Sequence, residues 1–166
     1  MRYYDFASCG SGFILRSAWT PSLCLRTKRG ESVAAGARIE FGTMCSDPSA
    51  RFRVARVGTT YGYVLLTMAS VSTDLAIGVS ESSPQPRNGQ HLNLQSVAGA
   101  GDSRRLWIQF PVVVSDGSFY LQSMFDPAYI MHPNGGTAAD DVEAVWYAVY
   151  PADASRRFTT ECAPPP

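Results

Sequence analysis

The chain repeats itself, and that limits its fold more than any other feature. Phe13-Ile-Leu-Arg-Ser17 returns as Phe119-Tyr-Leu-Gln-Ser123, and Pro21 follows Ser17 at the distance at which Pro127 follows Ser123. Arg26 then stands where His132 stands, and a weaker middle copy opens at Tyr63-Val-Leu-Leu-Thr67. Ile39, Leu92 and Val145 mark one position of the repeat, and Phe52, Leu106 and Phe158 mark another. A polar segment precedes each of the second set: Asp47-Pro-Ser-Ala-Arg51, Asp102-Ser-Arg-Arg105 and Asp153-Ala-Ser-Arg-Arg157. Units of about 53 residues that recur in this way must bury their apolar faces against one another around a shared core. The expected organisation is one domain over 1–166, with repeats at 13–57, 63–110 and 119–160. The Pro-rich tail, 163–166, reads as the start of a stiff linker between modules.

Within each copy the apolar stretches are short and bounded by Gly, Pro, Ser or Asp, which is the pattern of strands joined by turns. Four strands are expected per copy: 13–17, 23–27, 38–41 and 52–57; then 63–68, 75–79, 91–95 and 106–110; then 119–124, 129–132, 143–150 and 158–160. One stretch competes. Val142, Val145, Trp146 and Val149 recur at helical spacing behind a capping Asp140 or Asp141. The repeat places this stretch on two segments too short for a helix, and its valines and aromatics suit a strand. The reading is therefore all-β.

Charge removes several classes of function. Lysine plus arginine and aspartate plus glutamate number 14 each, so no net field draws nucleic acid or an anionic membrane. Lys28 is the sole lysine; the remaining cations are arginines, suited to fixed forked hydrogen bonds. No apolar run is long enough to span a bilayer as a helix. No leader is visible after Met1, so a secreted form would have lost its signal peptide already. No nucleophile elbow, phosphate loop or metal-protease motif occurs, and two histidines without Cys-x-x-Cys give no zinc pattern. Neither catalysis, a cofactor nor a metal is expected.

Three four-strand units of this length resemble the β-trefoil. The last repeat is similar to the arabinofuranose-binding modules of family 42 (the AbfB type): Ser118-Phe119, Ser123, Pro127, Tyr129-Ile-Met-His132 and Asp153-Ala-Ser155 with Phe158 follow that family's order. Met131 replaces its Arg before the histidine, and Arg156 and Arg157 are extra. A weaker resemblance is to ricin-B-like lectins. Their Gln-x-Trp is represented by Arg51-Phe-Arg53, Arg105-Leu-Trp107 and Arg157-Phe-Thr159. Both resemblances imply a lectin-like, carbohydrate-binding domain, whose partner is a glycan or polysaccharide and which sits beside other domains or subunits of a larger secreted protein or toxin. In a closed threefold barrel the chain ends meet. That pairs Cys9 with Cys162; of the three possible pairings the expected one also joins Cys24, in the second strand, to Cys45, just after the third, across neighbouring elements, an arrangement for an oxidising compartment. Four reduced thiols are the rival.

A sugar site needs a carboxylate, a neutral or donor partner and an aromatic surface for the ring. Asp153, His132, Asn134 and Trp146 or Tyr147 supply these in the third repeat. Arg26, Phe41 and Asp47 form a second, poorer set in the first repeat, while the middle copy has Gly78 at the histidine position. The simpler role for Asp47, Asp102 and Asp153 is to cap turns, and the arginines at 51, 104, 105, 156 and 157 suit turn stabilisation. His91 reads as structural. A second class of function is protease inhibition through the loop Ser80–Gly89, stiffened by Pro84 and Pro86 and presenting Arg87.

Overall fold

A computed structural model of the chain describes residues 9–57, 62–69, 74–80, 82–83, 85–98, 103–112, 115–148 and 156–165. Thirteen short strands run through them. The first copy contributes β1 (Phe13–Ser17), β2 (Cys24–Thr27), β3 (Ile39–Gly42) and β4 (Phe52–Val57). The middle copy contributes β5 (Gly62–Thr67), β6 (Leu75–Gly78), β7 (Gln90–His91), β8 (Asn93–Ser96) and β9 (Trp107–Gln109). The last contributes β10 (Gln122–Ser123), β11 (Tyr129–Pro133), β12 (Val142–Ala148) and β13 (Phe158–Cys162). Up to Ala148 the stretch with helical spacing is the strand β12, and Val149 lies outside the described residues. The valines and aromatics of β12 pair with β11 and β3.

Six of these strands close a barrel. β13 pairs with β1, β1 with β4, β4 with β5, β5 with β9 and β9 with β10. The bridge Phe119↔Phe158 completes the ring. The second and third strands of each copy form hairpins, β2–β3, β6–β8 and β11–β12. The hairpins meet at the pseudo-threefold axis, where the Ile39 N–H donates to the Leu92 carbonyl and the Leu92 N–H to the Ala144 carbonyl, each at 3.0 Å. Alternate residues turn inward: Leu15, Phe52, Leu65, Ile108, Leu121 and Phe158 from the barrel, with Leu25, Phe41, Ile77, Leu94, Met131 and Trp146 from the hairpins. This is the β-trefoil architecture.

Three details differ from the sequence expectation. The third strand of the middle copy divides at Leu92, so twelve expected strands become thirteen. Leu92 spends its backbone groups on the other two repeats, while β7 pairs with β12 and β8 with β6. The residue equivalent to Ile39 and Leu92 is Ala144, not Val145, because β2–β3 and β11–β12 align Thr27↔Ile39 with Pro133↔Ala144. The larger valine next door drew the sequence alignment off by one. Likewise Ile108, not Leu106, matches Phe52 and Phe158: the barrel pairs are Phe13↔Phe52, Tyr63↔Ile108 and Phe119↔Phe158.

Both disulfides join the expected pairs. Cys9–Cys162 ties the chain ends beside the Phe13↔Cys162 register of β1 and β13. Cys24–Cys45 links β2 to the segment after β3. No described helix is long and apolar enough to cross a membrane.

Candidate functional site

Each repeat places four residues around one pseudo-equivalent position, outside its hairpin and beside the turn into its last strand. The aligned ladders make the sets Arg26, Glu40, Gly42 and Ala50 in the first copy, Gly78, Asn93, Gln95 and Leu106 in the middle copy, and His132, Val145, Tyr147 and Arg156 in the last. These three positions differ in what fills them.

In the first copy the position is filled from within. The Arg26 guanidinium lies over Gly42, so closely that a Cβ built there would sit 2.2 Å from Nε. Its Nε and Nη2 donate to Glu40 Oε1 at 3.0 and 2.8 Å, and Nη2 reaches Asp141 Oδ1 at 3.2 Å. Arg26 is 3% exposed and Glu40 fully buried. Of the residues expected to form a second site, Phe41 turns the other way, into the core against Phe158 with ring centroids 6.0 Å apart. Asp47 caps the 3-10 turn Pro48–Ala50 by accepting the Ser49 N–H at 2.8 Å. That hydrogen bond, with the charge of Arg26 nearby, holds its carboxyl below the ordinary range. Asp47 and Arg26 line one shallow cleft with Lys28 and Arg29, but Phe41 takes no part in it.

In the middle copy Leu106 packs on Gly78, where an added Cβ would meet Leu106 Cδ2 at 2.4 Å. Glycine is required by that approach, and the leucine closes the position. Asp102 lies outside the described residues.

The last copy is open. His132, Asn134, Gly135, Gly136, Val145, Tyr147 and Arg156 line a cleft of ≈340 Å³, with Gly89 from the middle copy at its edge. β11 delivers His132, which pairs with Val145 across the hairpin, and Ile130 pairs with Tyr147. Period two therefore puts His132, Val145 and Tyr147 on the outer face. His132 is buried, and its ring packs 5.2 Å from that of Tyr147 at 31°. Its Nδ1 lies 2.5 Å from the Pro133 carbonyl, which only accepts, so the proton sits on Nδ1. Tyr147 remains 42% exposed. Behind them the chain turns sharply at Gly135 and Gly136, with φ of 81° and 91°, which glycine alone adopts without strain.

The structure thus gathers His132, Asn134 and Tyr147. Trp146 does not join them; it is 1% exposed and belongs to the core beside Met131. The alternation of β12 sends one of the two neighbouring aromatics in and the other out. Asp153 lies outside the described residues. Arg156, a residue expected to stabilise a turn, lines the cleft. Its pseudo-equivalents are the buried Ala50 and Leu106, so a charged side chain at a core-like repeat position was the available signal, legible only in the corrected register. Three of the other arginines reach separate segments rather than their own turns: Arg105 Nε donates to the Val79 carbonyl at 3.1 Å, Arg157 Nη1 to Asp116 at 2.8 Å, and Arg104 lies 4.9 Å over the Phe125 ring. His91 donates from Nδ1 to Glu143 at 2.6 Å.

The loop considered for protease binding is fastened down. Gly89 N–H donates to the Trp146 carbonyl at 2.9 Å, and Asn88 Oδ1 accepts the Ala148 N–H at 2.7 Å. Pro86 is buried and Arg87 exposed; Pro84 lies outside the described residues.

An all-β fold of three such units is shared with other β-trefoil proteins. The designed threefold-symmetric protein ThreeFoil superposes with a TM-score of 0.74 at 14% identity, over 90% of this chain and 97% of its own. The agglutinin of Rhizoctonia solani gives 0.63 at 15% identity, over 94% and 98%. The C-terminal half of the earthworm R-type lectin, solved in complex with GalNAc, gives 0.62 at 12% identity, over 90% and 96%. At these identities the likeness is one of fold. No protein-family model matches the sequence, and no curated protein matches it.

Proposed function

We propose that the chain is a non-catalytic, lectin-like carbohydrate-binding domain that works through the cleft of the third repeat. The observation that carries this reading is the exposed Tyr147 ring held against His132, beside Asn134, in a cleft whose two pseudo-equivalents are closed by Arg26 and Leu106. An aromatic ring offers its face to the apolar side of a sugar, while the Asn134 amide supplies directional hydrogen bonds. Asp153, three residues before Arg156, is the proposed hydroxyl acceptor. The resemblance of the last repeat to AbfB-type modules supports a pocket built on His132 and Asp153. The earthworm lectin's complex with GalNAc supports a glycan ligand in general. Two disulfides support an oxidising, extracellular setting, and the domain is proposed to serve as a module of a larger secreted protein or toxin.

A printed glycan array followed by calorimetric titration of the best hit tests this. One ligand per chain is expected, with Tyr147→Ala weakening it at least tenfold. Three equal sites, or wild-type affinity in Tyr147→Ala, would remove the third-repeat cleft as the binding site.

A further inference from the structure

A second cleft, of ≈370 Å³, is lined by Gln85, Pro86, Arg87, Phe125, Asp126 and Tyr129. Gly89, two residues beyond Arg87, lines the His132–Tyr147 cleft, so one short stretch of chain serves as a wall of both. We propose that this second cleft is a subsite for a neighbouring sugar ring, and that the chain therefore takes an oligosaccharide rather than a single sugar. The inference rests on the carbohydrate reading above.

Its composition points to a hydroxyl-rich ligand. Arg87 and Asp126 carry opposite charges into one cleft without forming an ion pair with each other. Asp126 uses Oδ1 to accept the Ala128 N–H at 3.1 Å, which leaves its second oxygen to accept from a ligand. Arg87 spends Nη2 on the Ser83 hydroxyl; a guanidinium has five N–H groups, so donors remain. Phe125 and Tyr129 add aromatic residues to the same lining. Such a lining suits a molecule with apolar C–H faces and both donors and acceptors at its edge, and it disfavours a purely apolar one.

Both walls are also set before any ligand arrives. On one side Gln90 Oε1 accepts the Arg87 N–H at 3.0 Å, and Gln90 Nε2 donates to the Ser83 carbonyl at 2.8 Å. On the other, Ser123 Oγ accepts the N–H groups of Phe125 and Asp126 at 3.2 and 3.3 Å. Gln122 Nε2 donates to the Pro127 carbonyl at 2.6 Å. Loops ordered in this way lose little entropy on binding.

Calorimetry should compare galactose, N-acetylgalactosamine and L-arabinose with their di- and trisaccharides, using the wild type, Arg87→Gln, Asp126→Asn and Tyr147→Ala. The expected result is that one series binds about tenfold tighter as an oligosaccharide than as a monosaccharide. Arg87→Gln and Asp126→Asn should erase that gain and leave monosaccharide affinity unchanged, while Tyr147→Ala weakens both. Equal affinity for short and long ligands, or an undiminished gain in both cleft variants, overturns the subsite and leaves the third-repeat site standing. Trypsin inhibition by the wild type that Arg87→Gln abolishes assigns the stretch to a protease and overturns it too. Binding of no saccharide in this panel or on a printed array removes both readings together.

Discussion

Two residue-level questions separate a ligand site from a set of turns. Asp102 and Asp153 open the corresponding polar segments of their repeats, but the copy containing Asp102 has its cleft filled by Leu106 on Gly78. A charged hydrogen bond contributes about 1.5–3 kcal/mol, so Asp153→Ala should weaken sugar binding roughly ten- to over a hundredfold. Asp102→Ala should leave affinity unchanged. Equal losses in the two variants, read by titration, would return both aspartates to a turn-capping role. Arg26 poses the complementary case. Removing it by Arg26→Met leaves the buried Glu40 without its charged partner and with only the Arg29 N–H, which donates to Oε1 at 2.9 Å; that should cost about 3–5 kcal/mol in denaturant unfolding. Arg26→Met combined with Glu40→Leu should recover most of that loss, because two apolar side chains need no partner. A double variant as unstable as the single one would mean that the ion pair itself, rather than the orphaned carboxylate, supplies the stability.

At the scale of elements, the hairpins are held by their ladders and the chain ends by sulfur. β1 and β13 pair over five residues, and Cys9–Cys162 sits at the end of that pairing. The bridge spans 153 residues and Cys24–Cys45 spans 21. Loop entropy assigns them about 5 and about 3 kcal/mol, with strain to be subtracted. Cys9→Ser with Cys162→Ser should therefore lower Tm more than Cys24→Ser with Cys45→Ser, by scanning calorimetry of the two double variants. The reverse order would show that β1 and β13 stay paired in the unfolded reference without the bridge.

The whole molecule is knotted together at Glu143. This one carboxylate on β12 accepts from Lys28 and Arg38 of the first copy and from His91 of the second, so all three repeats converge on it. Burial alone would push its pKa up. The hydrogen bond from Lys28 and the charges of Lys28, Arg38 and His91 outweigh that and hold it below the usual carboxylate range. A folded-state pKa below the unfolded one means that the stabilisation is complete above the ordinary value of about 4.3. It is lost as pH falls through the lower folded value. Glu143→Gln should cost about 1–3 kcal/mol at pH 7, with the difference from wild type shrinking as both are acidified below about pH 4. A cost independent of pH would place the effect in packing rather than charge.

The threefold repeat, the all-β class and both cysteine pairings were legible in the sequence, because each follows from what recurs along the chain or from where a closed repeat brings its ends. That His132 and Asn134 lie close together was legible too, from their nearness in the last copy, while Tyr147 stood there only as an alternative to Trp146. Register was not. Ala144 and Val145 are neighbours of similar character, and only the hydrogen-bond ladder shows which one lies on the axis. That single step decides that Trp146 enters the core while Tyr147 faces out, and that Arg156 takes the place of Ala50 and Leu106. The closure of the other two positions was equally hidden. Gly42 and Gly78 carry no side chain to announce a site, and what fills the space above each, Arg26 or Leu106, depends on how closely separate strands approach once the barrel has closed.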